Sequence, residues 1–90
     1  MAKQFGRIFR GSSTDVLFEG MVFLAHDARE GSIEAMNPTS DALSHQTDTN
    51  EADTLTLQDG TTLRVVITTR GTPVMVGGRS ICPVTFHIHQ

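Results

Sequence analysis

The segment from residue 53 to residue 67, DTLTLQDGTTLRVVI, constrains the fold of this chain most. Leucine, valine and isoleucine alternate with polar residues on both sides of Asp59-Gly60, which is typical of two β-strands joined by a tight turn. A two-residue loop would put the apolar residues of the two strands on opposite faces. A three-residue loop, Gln58-Asp59-Gly60, pairs Leu55 with Leu63 and Asp53 with Val65, so the apolar face decides the register. We therefore predict a three-residue hairpin loop in which Gly60 is left-handed and forms a G1 bulge. This register gathers Leu55, Leu57, Leu63, Val65 and Ile67 on one face.

The rest of the chain has the same character. Threonine, valine, isoleucine and phenylalanine are frequent, and glycine-containing breaks recur about every ten residues. A second hairpin is predicted about Gly77-Gly78, and Pro83 beyond it predicts an edge strand or a bulge because proline cannot donate to a ladder. Ninety residues make one domain. We predict an all-β fold, either a small antiparallel β-sandwich or a β-barrel.

Two further segments are interpreted separately. Residues 16–26, VLFEGMVFLAH, are typical of strand material, and Glu19-Gly20 within them predicts either a two-residue turn or a bulge in one long strand. Residues 37–53, NPTSDALSHQTDTNEAD, are polar and acidic, with Leu43 as their one large apolar anchor. We predict that residues 37–53 form a long loop. Loops of this length are usually functional or disordered.

Residues 1–12 are predicted to form a basic N-terminal arm in front of a single β domain at residues 13–90. A helical turn and an extended arm are both compatible with the sequence, since Gly6 interrupts the one weak helical pattern. Residues 1–10 carry a net charge of +3, residues 11–59 carry all ten acids and a net −9, and residues 60–90 carry +3. Either folding interleaves these blocks, or the arm reaches outward to a partner. The residues predicted to make that contact are Lys3, Phe5, Arg7, Ile8, Phe9 and Arg10.

The segment FHIHQ ends with His87 and His89, two residues apart. In a strand these two side chains share the face opposite Val84, Phe86 and Ile88. Two residues on one face can chelate a metal ion, but a zinc site needs at least three protein ligands, and no motif supplies the third. We therefore expect the two histidines to lie on a solvated strand face; a metal contact and a pH-sensitive contact are the alternatives. No cofactor is predicted.

Nothing in the sequence predicts catalysis. There is no nucleophile elbow, phosphate loop or zinc-protease motif. Cys82 is the only cysteine, which excludes a disulfide within the chain and favours a reducing compartment, and we expect it to be buried. No secretory signal follows the early basic residues, and the longest apolar run, MVFLA, is too short to span a membrane. We expect a non-enzymatic protein that is intracellular or carried in a virion.

The hairpin segment ADTLTLQDGTTLRVV resembles the small β-sandwich or β-barrel proteins of tailed bacteriophages that act in head–tail joining, in the neck and in tail completion. The resemblance implies a ring-forming virion component without catalytic activity, whose partners are other protein subunits. Two alternatives stay open. One is a barrel that binds single-stranded nucleic acid, which the basic arm with Phe5 and Phe9 favours and the acidic balance disfavours. The other is a small acidic inhibitor of a nucleic-acid-binding enzyme.

Overall fold

The computed structural model describes residues 3–25, 29–46 and 51–89. In these ranges it contains seven strands and one short helix: β1 Lys3–Phe9, β2 Val16–Leu24, β3 Glu30–Met36, α1 Ser40–Ser44, β4 Asp53–Leu57, β5 Thr62–Arg70, β6 Val74–Val76 and β7 Arg79–Ile88. The all-β prediction is confirmed. Within the same ranges, no helix has the length and apolar character needed to cross a membrane.

Six strands close into a barrel in the order β1, β2, β3, β7, β5, β4, and β4 returns to β1. All neighbouring strands are antiparallel. The ring closes where β3 pairs with β7, from Glu30 opposite His87 to Met36 opposite Ile81. The short strand β6 lies outside this ring and pairs with the first residues of β7. Of the two predicted architectures, the chain therefore adopts the barrel.

Alternate side chains of the strands point inward and fill the barrel. The largest fully buried apolar side chains are Phe18, Phe86, Ile8, Ile33, Leu55, Val22, Val65 and Val84. Burial of one such side chain contributes about 1.5–3 kcal/mol relative to leaving it in water. Every barrel strand supplies at least one of them, so the core depends on closure of the whole ring.

The hairpin between β4 and β5 has the predicted register. Leu55 lies opposite Leu63 and Asp53 opposite Val65. The Leu57 N–H donates to the Thr61 carbonyl at 2.8 Å, and Gly60 has a φ of 95°. The predicted three-residue loop with a left-handed Gly60 is confirmed.

The prediction of a turn or bulge at Glu19-Gly20 is wrong. Strand β2 runs straight through this pair, and Gly20 lies opposite Gly6 of β1 and Ala35 of β3. A Cβ on Gly20 would collide with the backbone of Glu34, so the glycine is required by close approach of β3 and not by a turn. The register shift in β2 falls at Leu17 instead.

The second hairpin is also confirmed, with Val76 opposite Arg79 and Val74 opposite Ile81. Pro83, however, lies in β7, which has neighbours on both sides, so the prediction of an edge strand is wrong. The Pro83 carbonyl accepts from the Gly71 N–H at 2.7 Å, in the connection between β5 and β6. Since the nitrogen and carbonyl of one strand residue point the same way, the missing N–H of Pro83 also faces this irregular connection, where no ladder needs it.

The predicted N-terminal arm is wrong for Lys3–Phe9, because these residues form β1, one of the six strands of the barrel. It pairs with β2 on one side and with β4 on the other. The physical reason is Ile8, which is fully buried in the core between Phe18 of β2 and Leu55 of β4, its partners in the two ladders. The domain described by the structure therefore begins at β1 and not at residue 13.

The predicted long loop connects β3 to β4, and part of it is a short helix. Thr39 caps α1 by accepting from the Ala42 N–H at 3.1 Å, and Asp41 places an acid in the first turn. Ala42 is buried, and Leu43, the predicted anchor, packs against the core. Residues 47–50 of the predicted loop lie outside the described residues.

Candidate interaction surfaces

The hairpin of β6 and β7 presents an apolar surface outside the barrel, and residues 74–79 are here called the hairpin tip. Val74, Met75 and Val76 are 56%, 69% and 55% exposed. Successive strand residues point to opposite faces, so the tip is apolar on both faces. Soluble chains usually blunt such a strand with charge, yet β6 carries none, and the one charge of the tip is Arg79, opposite Val76.

The tip is held in place by its turn and by the end of β3. Gly77 and Gly78 have φ values of 56° and 81°, as a tight two-residue hairpin turn requires. The Asn37 N–H donates to the Ser80 carbonyl at 2.7 Å, and the Ser80 N–H donates to Asn37 Oδ1 at 3.0 Å. The exposed apolar residues are therefore attached to an ordered strand.

A second surface lies on the outside of β1 and β2 and is here called the aromatic face; it consists of Lys3, Phe5, Arg7, Phe9 and Phe23. Because Ile8 and Val22 point inward, these five residues point outward. The three phenylalanines are half-buried. Phe18 and Phe86 are buried in the core, whereas the parity of β2 puts Phe23 outside.

Two cations lie against rings on this face. Lys3 Nζ is 5.3 Å from the centroid of the Phe23 ring, and the Arg7 guanidinium is 5.5 Å from that of Phe5. Arg7 also forms an ion pair with Glu19 at 2.6 Å, with both side chains about half exposed. This pair joins the basic first block of the sequence to the acidic second block, so folding interleaves the charges here.

Arg10, the last predicted arm residue, lies apart from this face in a polar cluster with His45 and Asp53. His45 Nε2 lies 2.9 Å from Asp53 Oδ2, and the Gly11 N–H donates to Asp53 Oδ1 at 2.8 Å. The Asp53 side chain is 2% exposed and that of His45 is 10% exposed. The carboxylate is therefore satisfied by both donors, which join the β1–β2 loop and the segment after α1 to β4.

Two further arginines support the same region. Arg64 donates to Thr54 Oγ1 at 2.7 Å and to the Ala52 carbonyl, and Arg70 donates to the His45 carbonyl. Both arginines come from β5, in the last basic block of the sequence. Arg64 holds the chain on either side of Asp53, and Arg70 holds the segment that carries His45.

The His45–Asp53 pair does not have the geometry of a catalytic triad. In a triad the second ring nitrogen of the histidine faces a nucleophile. With Nε2 donating to the carboxylate, Nδ1 of His45 is the acceptor, and it faces Arg10 Nη1 at 3.4 Å. A guanidinium has no acceptor and cannot supply a nucleophile. The arrangement is suited to fixing the loops at this end of the barrel.

An open cleft of about 290 Å³ borders this cluster. Asp15, Glu51 and Asp53 line it together with Arg10. The Arg64 guanidinium also lies beside this cleft, 3.5 Å from Ser12 Oγ, so charges of both signs meet there.

His87 and His89 are exposed, while Val84 and Phe86 on the other face of β7 are buried and Ile88 is partly buried. The predicted solvated face is confirmed. The His89 N–H donates to the Arg64 carbonyl at 2.7 Å, which continues the pairing past the end of β7. Across the described ranges, no group of three or more histidine, cysteine or acidic residues is arranged to hold a metal ion.

Asp59 and Gly60 lie at the turn between β4 and β5. Hydrogen bonds from Thr61 to the Asp59 carboxylate lower the pKa of that group below its ordinary value. The Asp59 N–H faces Gln4 Oε1 at 3.3 Å, so the turn also contacts β1. Both residues shape the loop, and neither belongs to the hairpin tip or the aromatic face.

No protein-family model matches this chain, and no curated protein and no solved structure is significantly similar to it.

Sequence reasoning missed two features of these surfaces. Asp53 has the same parity as Leu55 and Leu57, so the predicted register already placed a carboxylate on the inward face, which signals a buried and partnered acid. The exposure of residues 74–76 had a weaker signal, namely an apolar strand of three residues between Pro73 and a glycine turn without any charge. A strand so short lies on the hairpin it belongs to and cannot span a barrel wall.

Proposed function

We propose that this protein is a non-catalytic assembly subunit that binds other copies of itself in a larger protein particle. The observation that carries the proposal is the hairpin tip. Three consecutive apolar residues, each more than half exposed, stand on an ordered strand outside a closed barrel. Contiguous apolar surface of this kind on a soluble domain marks an interaction site.

The other surfaces support this proposal. The Asp53 carboxylate is buried and accepts from His45 and Gly11, an arrangement that suits a rigid scaffold. The aromatic face adds half-buried phenylalanines with neighbouring cations, a composition that suits the rim of a protein interface. A small rigid domain with two distinct exposed patches is suited to bind two neighbours at once.

The setting we propose is a tailed phage or phage-like particle, with this chain as a ring-forming neck or connector component. This rests on the resemblance of residues 52–66 to head–tail joining and tail-completion proteins. In such a ring each subunit uses two different patches, because a heterologous contact closes on itself only after a full turn of copies.

The proposal is tested by the mass of the protein in solution. Sedimentation would be measured from about 10 µM to about 1 mM, with the parent chain and a variant carrying Val74→Thr, Met75→Lys and Val76→Thr. We expect the mass of the parent to rise with concentration and the mass of the variant to stay lower. Thr62→Lys is the matched control, since it adds the same charge at an exposed strand position away from the tip.

The proposal is wrong if the parent keeps the mass of one chain over the whole range. Far-ultraviolet circular dichroism of each variant shows whether the fold is kept. An equal loss of association in the Thr62→Lys control would mean that charge, and not the tip, governs the result.

The aromatic face supports a second candidate function, binding of single-stranded nucleic acid. Barrels of this size bind single strands by stacking bases on outward aromatic side chains beside basic residues. Phe5, Phe9 and Phe23 lie on one outer face with Lys3 and Arg7, although Glu19 neutralises Arg7. The net charge of −3 weakens this candidate.

Fluorescence anisotropy with a labelled twelve-base oligonucleotide distinguishes the two candidates. If the aromatic face binds bases, Phe23→Ala should weaken binding by about 1–3 kcal/mol, and binding should fall steeply with salt. Val74→Ala, which lies outside that face, is the control. Absence of binding by the parent chain at low salt would eliminate this candidate.

A further inference from the structure

Strand β6 has a free edge, and this edge determines how a strand of another molecule could pair with it. Each of the six barrel strands is paired on both sides over at least part of its length. Strand β6 pairs with β7 alone. Among the described strands, β6 is therefore the one with a side that is unpaired along its whole length.

The hydrogen-bonding groups of this edge belong to Met75. The two residues that flank a two-residue hairpin turn bond to each other, here Val76 and Arg79, and bonded pairs alternate along the hairpin. Met75 and Ser80 thus form a non-bonded pair, and their backbone groups point away from each other. The bonds of Ser80 to Asn37 on the far side confirm this alternation. No hydrogen bond from the described residues reaches the Met75 N–H or carbonyl.

We propose that β6 pairs with β6 of a second copy of this chain, antiparallel and centred on Met75. The inference rests on the proposed function only in taking the neighbour to be the same chain. If a copy supplies the covering strand, its own β6 is the described strand that offers a side open along its whole length. Two identical edges that face each other are related by a two-fold axis, and Met75 then bonds to Met75 of the second copy through both backbone groups.

The side chains fit this arrangement. In the register centred on Met75, Val74 of each copy lies opposite Val76 of the other, so four valines meet on one face and two methionines on the other. Residues 71–78 carry no charge, so a two-fold contact brings no like charges together there. Arg79 lies opposite Val76 on β7, one strand farther from the axis.

The contact is small. Three residues from each copy bury far less than the roughly 800 Å² per partner of a standard stable interface. We therefore expect the pair alone to form at high protein concentration, and to be strengthened when other contacts hold the copies together. Within a ring-forming subunit, this two-fold contact would join two rings, and the heterologous contact that builds each ring would use other surfaces of the chain.

Disulfide capture tests the pairing and its register. In a bonded antiparallel pair the Cα atoms are about 5.5 Å apart, which a disulfide can bridge. Met75→Cys should therefore oxidise to a dimer at least about tenfold faster than Val74→Cys, whose Cα would lie about 7–8 Å from its own equivalent. The native Cys82 does not interfere, since it is fully buried and burial raises its thiol pKa, with Arg70 opposing.

A second variant tests the same contact without cysteine. Met75→Pro removes the outward N–H, while the pairing of β6 with β7 keeps its bonds at Val74 and Val76. We expect it to raise the dissociation constant of the pair about tenfold or more, because both symmetric N–H donors are lost. Met75→Leu is the matched control and should leave the constant within about twofold.

Equal oxidation rates for Met75→Cys and Val74→Cys would overturn the proposed β6–β6 pairing. An unchanged dissociation constant for Met75→Pro would overturn it as well. If the parent still gains mass with concentration in that case, the assembly function stands and its contact lies elsewhere. If the parent keeps the mass of one chain and Met75→Cys forms no disulfide-linked dimer, both the assembly function and the β6–β6 pairing are wrong.

Discussion

His45 Nε2 donates to Asp53 Oδ2 at 2.9 Å in a region almost closed to solvent. Asp53→Ala would leave this ring and the Gly11 N–H without their acceptor, so we expect it to lower the free energy of unfolding by about 2–5 kcal/mol. Urea denaturation at neutral pH measures the loss. Asp15→Ala, an exposed acid at the same cleft, should change it by less than about 0.5 kcal/mol.

The place of β1 in the barrel gives the next prediction. Ile8→Ala should lower the free energy of unfolding by about 2–5 kcal/mol, because it opens a cavity in the core. Arg7→Ala, its outward neighbour with an exposed ion pair, should cost about 0–1 kcal/mol. Equal effects in urea denaturation would show that the first strand is not part of the barrel. Deletion of residues 1–10 should abolish cooperative folding for the same reason.

The left-handed Gly60 predicts a backbone effect without a steric clash. No atom lies within 4 Å of a Cβ added there, so Gly60→Val should cost about 1–2 kcal/mol through its backbone conformation alone. Gly60→Asn should cost less, since asparagine tolerates this conformation. Thermal unfolding of the two variants compares them, and equal costs would place the turn in another conformation.

The Asp59 turn predicts a pH dependence. Hydrogen bonds from Thr61 lower the pKa of Asp59 in the folded state, so their contribution to stability is present above the ordinary pKa near 4. It is lost as the pH falls through the lower, folded value. The stability difference between the parent and Asp59→Asn should therefore be larger at pH 6 than at about pH 2–3. A difference that does not change over this range would mean that the carboxylate does not accept these bonds.

The exposed histidines of β7 predict no response to zinc. Replacement of both His87 and His89 by glutamine should leave the melting temperature unchanged, with or without added zinc or a chelator, because a zinc site needs at least three protein ligands. Differential scanning calorimetry measures this. A melting temperature that rises with zinc in the parent and not in the variant would contradict the solvated-face interpretation.

The hairpins were predictable because their information is local. The alternation of Leu55, Leu57, Leu63 and Val65 fixes one register, and the glycines at 60, 77 and 78 fix the turns. The exposed face of His87 and His89 follows from the same period of two. Each of these features depends on residues that are close together in the sequence.

The first strand was not predictable in this way. In β1 the large residues Phe5 and Phe9 point outward and only Ile8 points deeply inward, so the pattern resembles neither a strand nor a helix. The place of β1 in the barrel is decided by its pairing with β4, which lies about fifty residues later in the chain. The helix α1 had a local signal in Thr39 and Asp41, a cap followed by an acid, which the polar composition of the segment concealed.

The pairing of β3 with β7 also sets the order of events during synthesis. Residues 30–36 find their partners only in residues 81–87, so the ring stays open until almost the whole described chain has been made. Until then β3 has an open edge of the kind that recruits other chains, and contacts so distant in sequence form slowly. The nascent chain is therefore most exposed to aggregation just before its final strand emerges, and a chaperone would have its greatest effect on yield at that stage.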